Sequence, residues 1–180
     1  MKRRDWISKM VPTALETAKA LEGLVSTDPL PLRPPGALSE PAFLDACTRC
    51  GLCVHACPHQ SLFVFNGKAS PELVGTPLLQ PERRACHMCE GFPCIAACEP
   101  RALVEPKTLP KLGHVVVDAT RCLPFLGPEC GACRGLCPTP TQTLSLRLGR
   151  PQVDEDGCIG CGICIAACPT SPKALCFVQG

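Results

Sequence analysis

The chain has 180 residues, a formal net charge of +2, 17 Cys, 21 Pro and 15 Gly, with one Trp, six Phe and no Tyr. So few large side chains leave little material for an ordinary hydrophobic core, and such a chain needs a staple or a metal. The charge excludes a basic face for nucleic acid, and no apolar run reaches the roughly 18 residues of a membrane span.

Residues 1–25 open with Arg3-Arg4 and then Trp6-Ile7, a pattern like the twin-arginine export signal, but Pro12, Glu16, Lys19 and Glu22 interrupt the apolar run that export requires. Ala14, Leu15, Ala18, Leu21 and Val25 instead share one stripe, and Pro12 suits a first turn. The spacing predicts an amphipathic helix over about 12–25, packed on its own protein or on a partner. A degenerate twin-arginine segment is the alternative. The first reading implies a mature chain that keeps these residues and a cytoplasmic location, with any membrane association made through a partner. The alternative implies a periplasmic one.

Residues 26–41 hold Pro29, Pro31, Pro34, Pro35 and Pro41, and read as an extended linker. From residue 42 onward, four cysteine groups alternate with short strand-like segments at Leu62–Phe65, His114–Asp118, Leu144–Leu148 and Leu175–Val178. The expected class is a small α+β domain over 42–180, with loops wrapped round metal and short hairpins and one-turn helices as struts.

The first group is Cys47, Cys50, Cys53 and Cys57, followed by Pro58. The second is Cys86, Cys89, Cys94 and Cys98, followed by Glu99-Pro100. The third is Cys122, Cys130, Cys133 and Cys137 with Pro138, and the fourth is Cys158, Cys161, Cys164 and Cys168 with Pro169. Groups one and four have the bacterial ferredoxin spacing, C-x2-C-x2-C-x3-C-P. Three closely spaced thiolates curl round one cubic cluster, and the fourth, one helical turn on, reaches a different one. Zinc sites use paired C-x2-C ligands, four per ion; triplets plus one argue for 4Fe–4S clusters, four in all. The same pattern argues against a disulfide scaffold.

Cys176 stands outside the groups in an apolar run and reads as a buried free thiol. His55, His59 and His87 lie among the cysteines, but complete cysteine sets leave no need for them as ligands, and surface histidines are expected. Each loaded site contributes a charge of about −2, so four would take the chain from +2 to about −6. Arg49, Arg83, Arg84, Arg101, Arg121, Arg134 and Arg147 are read partly as counter-charge and partly as ordinary surface. No phosphate loop, nucleotide fingerprint, nucleophile–base pair or radical S-adenosylmethionine order (C-x3-C-x2-C) is present, which argues against an enzyme.

These residues resemble the MauM/NapG-type ferredoxin family over about 33–178. The resemblance rests on Arg33-Pro34-Pro35-Gly36-Ala37, Phe43-Leu44 before Cys47, and Gly75-Thr76-Pro77. It also rests on Cys86-His87-Met88-Cys89-Glu90-Gly91-Phe92-Pro93-Cys94 and the widened third group. It implies an electron-transfer subunit that passes electrons from a quinol-oxidising membrane partner towards a periplasmic oxidoreductase. Family members usually carry a twin-arginine signal. An electron-transfer subunit of a molybdenum oxidoreductase complex is the alternative, and a structural metal-binding interaction module is the alternative of another class.

The four groups can pair in sequence, or nest, first with fourth and second with third. Matching spacing in the outer and inner groups, and the four-cluster subunits the chain resembles, favour nesting. The expected ligand sets are Cys47, Cys50, Cys53 with Cys168; Cys158, Cys161, Cys164 with Cys57; Cys86, Cys89, Cys94 with Cys137; and Cys122, Cys130, Cys133 with Cys98. Residues 42–70 with 150–180 would then form one dicluster module and 71–149 the other, with the strand near Leu175 beside Leu62–Phe65.

Overall fold

Short helices and two-stranded ribbons alternate along residues 31–68, 70–139 and 142–180, the part that the computed structural model describes. The helix expected over 12–25 and residues 26–30 of the expected linker lie outside these residues. Pro41 in the first turn starts α1, Glu40–Ala46, whose Phe43 is fully buried. The one-turn helices α2, Leu52–Ala56, and α5, Ile163–Ala167, end alike. Their next residues, Cys57 (φ −74°, ψ 111°) and Cys168 (φ −64°, ψ 125°), precede proline, which disfavours helical geometry there. Two further single turns are α3, Pro93–Ala96, and α4, Leu123–Leu126, each with proline at its start.

Strand β1, Leu62–Val64, pairs antiparallel with β2, Pro77–Leu79, with Leu62 opposite Leu79. Strand β3, Gly113–Val117, pairs with β6, Leu175–Gln179, with Val117 opposite Leu175. Strands β4, Leu144–Arg147, and β5, Arg150–Val153, form a hairpin. The four expected strand segments are thus present, and β2 and β5 are additional. Ribbons this small cannot stand alone; each lies against a wall of cysteines.

The described residues form two cores. One gathers Phe43, Leu62, Leu79, Ala102, Leu103 and Leu112 with Cys53 and Cys86; the other gathers Val115, Leu144, Ile165, Ala174 and Leu175 with Cys122, Cys133, Cys158, Cys164 and Cys168. Phe177 packs against both.

The structure corrects two expectations. Residues 31–41 are not a spacer: Pro34 and Pro35 are buried, Leu38 N–H donates to Ala102 O, and Val104 N–H donates to Gly36 O. The nested modules are not formed either. Groups one and two share the first core and groups three and four the second, and β6 pairs with β3 rather than β1. Matching spacing reflects how tightly each loop curls, whereas pairing follows the short connections along the chain, which close at less entropic cost.

Candidate metal centres

Four cavities are each lined by four cysteines. Site one holds Cys47, Cys50, Cys53 and Cys98. Site two holds Cys86, Cys89, Cys94 and Cys57. Site three holds Cys122, Cys130, Cys133 and Cys168. Site four holds Cys158, Cys161, Cys164 and Cys137. The triplets are those expected from the spacing. The fourth members replace the nested assignment: Cys98 rather than Cys168 completes site one, Cys57 rather than Cys137 site two, Cys168 rather than Cys98 site three, and Cys137 rather than Cys57 site four.

Electrostatics traces the same grouping. Burial pushes the Cys53 thiol up to about 11, helped by Cys98, Cys47 and Cys50, its own site partners, and by Cys94. Burial likewise pushes Cys86 up to about 11 and Cys164 up to about 12. Cys122 is raised by burial and then by Cys133, Cys168 and Cys130. Thiols crowded this way hold their protons near neutral pH; a cationic metal core held by them would supply the positive charge that favours the thiolate form.

The fourth cysteine of each group is hydrogen-bonded. Ser61 N–H donates to Cys57 Sγ at 3.3 Å and Leu103 N–H to Cys98 Sγ at 3.4 Å. The hydroxyls of Thr139 and Thr143 lie 3.1 and 3.3 Å from Cys137 Sγ, and that of Thr170 lies 3.2 Å from Cys168 Sγ. Burial raises both Cys137 and Cys168, but these threonine and backbone donors outweigh it and leave both thiols lowered. The threonines were not singled out from the sequence, although the repeat Cys-Pro-Thr at 137–139 and 168–170 carries the signal.

The donor sets fit 4Fe–4S clusters. All 17 cysteines are free, so no disulfide competes for them. Among the described residues no three His, Cys, Asp or Glu side chains converge closely enough for a single metal ion. Sulfurs spread round a cavity suit a multi-iron core rather than zinc. The exposed His59 and His87 stack, with ring centroids 3.7 Å apart, at the edge of site two. Burial and the neighbouring His59 lower the His87 pKa. Cys176 lines none of the four cavities and is half-buried, facing Val116 across β3–β6.

The 4Fe-4S binding domain family matches residues 43–63 and 151–172, covering the two compact groups. The ferredoxin-type protein NapG of Escherichia coli is 38% identical over 159 residues, which cover 80% of this chain and 68% of the relative. The chain belongs to the MauM/NapG-type ferredoxin family. The methylamine utilization ferredoxin-type protein MauM of Methylobacillus flagellatus is also 38% identical, over 80% of this chain and 66% of the relative. That of Paracoccus denitrificans is 36% identical over 87% and 76%. The chain thus spans about two thirds to three quarters of these relatives' length. No solved structure matches it.

As a MauM/NapG-type ferredoxin the chain transfers electrons through 4Fe–4S clusters and is a carrier, not a catalytic enzyme. The expectation of a cytoplasmic location is overturned. The NapG and MauM homologues with which the chain groups are periplasmic, twin-arginine-exported proteins. An interrupted apolar run was weak ground for the opposite reading. No helix among the described residues is long and apolar enough to cross a membrane.

Proposed function

We propose that the chain relays single electrons through four 4Fe–4S clusters, one in each four-cysteine cavity, as the electron-transfer subunit of an oxidoreductase complex. Four separate cavities, each lined by four thiols, carry this reading. Bound clusters supply reversible one-electron storage. The protein supplies sixteen sulfurs, the hydrogen bonds that tune four of them, and apolar packing that buries eight of them.

Family membership favours a dedicated subunit, in the form of the molybdenum oxidoreductase alternative, over a carrier fed directly by a membrane quinol protein. Co-purification with a large catalytic subunit supports the first, and co-purification with a membrane diheme or quinol protein supports the second. Anaerobic reconstitution is expected to give about 16 iron and 16 acid-labile sulfide per chain, four of each per cluster. Saturation near half that value overturns the four-cluster assignment. A colourless protein loaded with zinc would instead indicate a structural metal-binding module.

A further inference from the structure

Within each half of the fold, neighbouring sites share a one-turn connection. Helix α2 runs between Cys53 of site one and Cys57 of site two, and α3 carries Cys94 of site two just before Cys98 of site one. In the second half, α5 joins Cys164 of site four to Cys168 of site three, and a short turn joins Cys133 to Cys137.

The halves meet elsewhere. Cys86 N–H, in site two, donates to the Cys161 carbonyl, in site four, at 2.8 Å, and Leu112 N–H donates to Ile159 O at 3.0 Å. These contacts of the fourth group run along its loop 159–162. Two glycines permit the approach. Gly162, at φ +82°, leaves no room for a side chain: a Cβ there would stand 2.8 Å from both Cβ and O of Pro81. Gly160, at φ +69°, would place one 2.9 Å from the backbone of Gly113. Both combine positive φ with backbone contact, which only glycine tolerates without strain.

We infer that the four sites form a single file in the order one–two–four–three, and that Gly160 and Gly162 position the crossing at the Cys86–Cys161 contact. The order differs from the order of the groups in the chain. It places the wholly buried triplet Cys158, Cys161 and Cys164 inside the file, and it places site one, with exposed Cys50, at one end. Site three, whose α4 ends in the exposed Leu126, stands at the other. Each hop oxidises the site the electron leaves and reduces the site it reaches, with no proton or group transferred. A reduced redox protein supplies the electron at one end and an oxidised one takes it at the other.

This inference rests on the four-cluster reading, and its test separates the two. The full chain is reconstituted anaerobically, its iron measured, and it is reduced with dithionite for electron paramagnetic resonance. The double variant Cys50→Ala with Cys130→Ala keeps sites two and four, and Cys50→Ala with Cys158→Ala keeps sites two and three. The first is expected to show split or broadened signals from magnetic coupling, and the second two independent signals. The reverse pattern overturns the order. Gly162→Ala is expected to keep its iron and the one–two and three–four couplings while losing the two–four coupling. An unchanged two–four coupling overturns the role of the glycine, and the two double variants decide the order without this substitution. Iron well below about 16 per unmodified chain overturns the four-cluster reading itself, whereas full iron with the reverse coupling pattern overturns only the order.

Discussion

A hydroxyl that donates to a thiolate takes up part of its negative charge and makes reduction of the attached cluster easier. Thr139, 3.1 Å from Cys137 Sγ, is placed to do this at site four. A hydrogen bond worth about 1 kcal/mol corresponds to about 40 mV in a one-electron couple. Thr139→Val is therefore expected to lower the potential of site four by about that amount in a redox titration followed by electron paramagnetic resonance, and Thr139→Ser is expected to retain it. Arg33 has a different role. Its nearly buried guanidinium holds both carboxylate oxygens of Glu40, Thr76 Oγ1 at 2.8 Å and Pro77 O at 2.9 Å, and lies 4.6 Å over the Phe43 ring. Arg33→Met leaves the Glu40 carboxylate without its partner and is expected to cost about 3 kcal/mol, measured from the denaturant midpoint of the holoprotein. The further change Glu40→Leu is expected to restore part of that loss. Arginines read partly as counter-charge are in several cases ties of this kind. Arg49 donates to Glu72 O and Val74 O, Arg84 to Gln60, and Arg121 pairs with Asp118.

Elements are short because the cysteine groups punctuate them. A Cys-Pro pair ends α2 and α5 after five residues each, which sends the fourth sulfur away from its own triplet. The β4–β5 hairpin shows where alternation misleads. Leu144, Leu146 and Leu148 read as one strand face, but Arg147 faces Arg150, so Leu148 and Gly149 form the two-residue turn. Leu148 has φ +50° and is 95% exposed. A two-residue hairpin turn with both residues at positive φ favours Asn-Gly, and leucine there is strained. Leu148→Asn is expected to stabilise the protein by about 0.5 to 1 kcal/mol with unchanged iron content. A lower denaturant midpoint in that variant would contradict this reading of the turn.

Across the whole molecule, cysteine stands in for the large apolar residues the chain lacks. Five of the ten buried residues of the second core are cysteines. Removing the iron would leave these walls facing voids and a chain with too little apolar area to close them. A chelator is therefore expected to unfold the protein, with loss of near-ultraviolet circular dichroism and of dispersed amide resonances. Retention of both in the iron-free chain would show that the ribbons and α1 suffice on their own.

The sequence by itself determined the chemistry and much of the local structure. Thiol spacing within a group is set by how a loop curls round a cubic core, and Cys-Pro and strand-like runs act over a few residues, so the four triplets and four of the six strands among the described residues were legible without coordinates. Only the tertiary structure decided which fourth cysteine completes which site, that Pro34 and Pro35 belong to the core, and that β6 returns to β3. Those outcomes depend on closing loops of tens of residues and on close backbone contacts such as Pro81 against Gly162. Groups one and four share a spacing because each loop curls equally tightly round its own site, and equal spacing carries no information about which partner lies within reach.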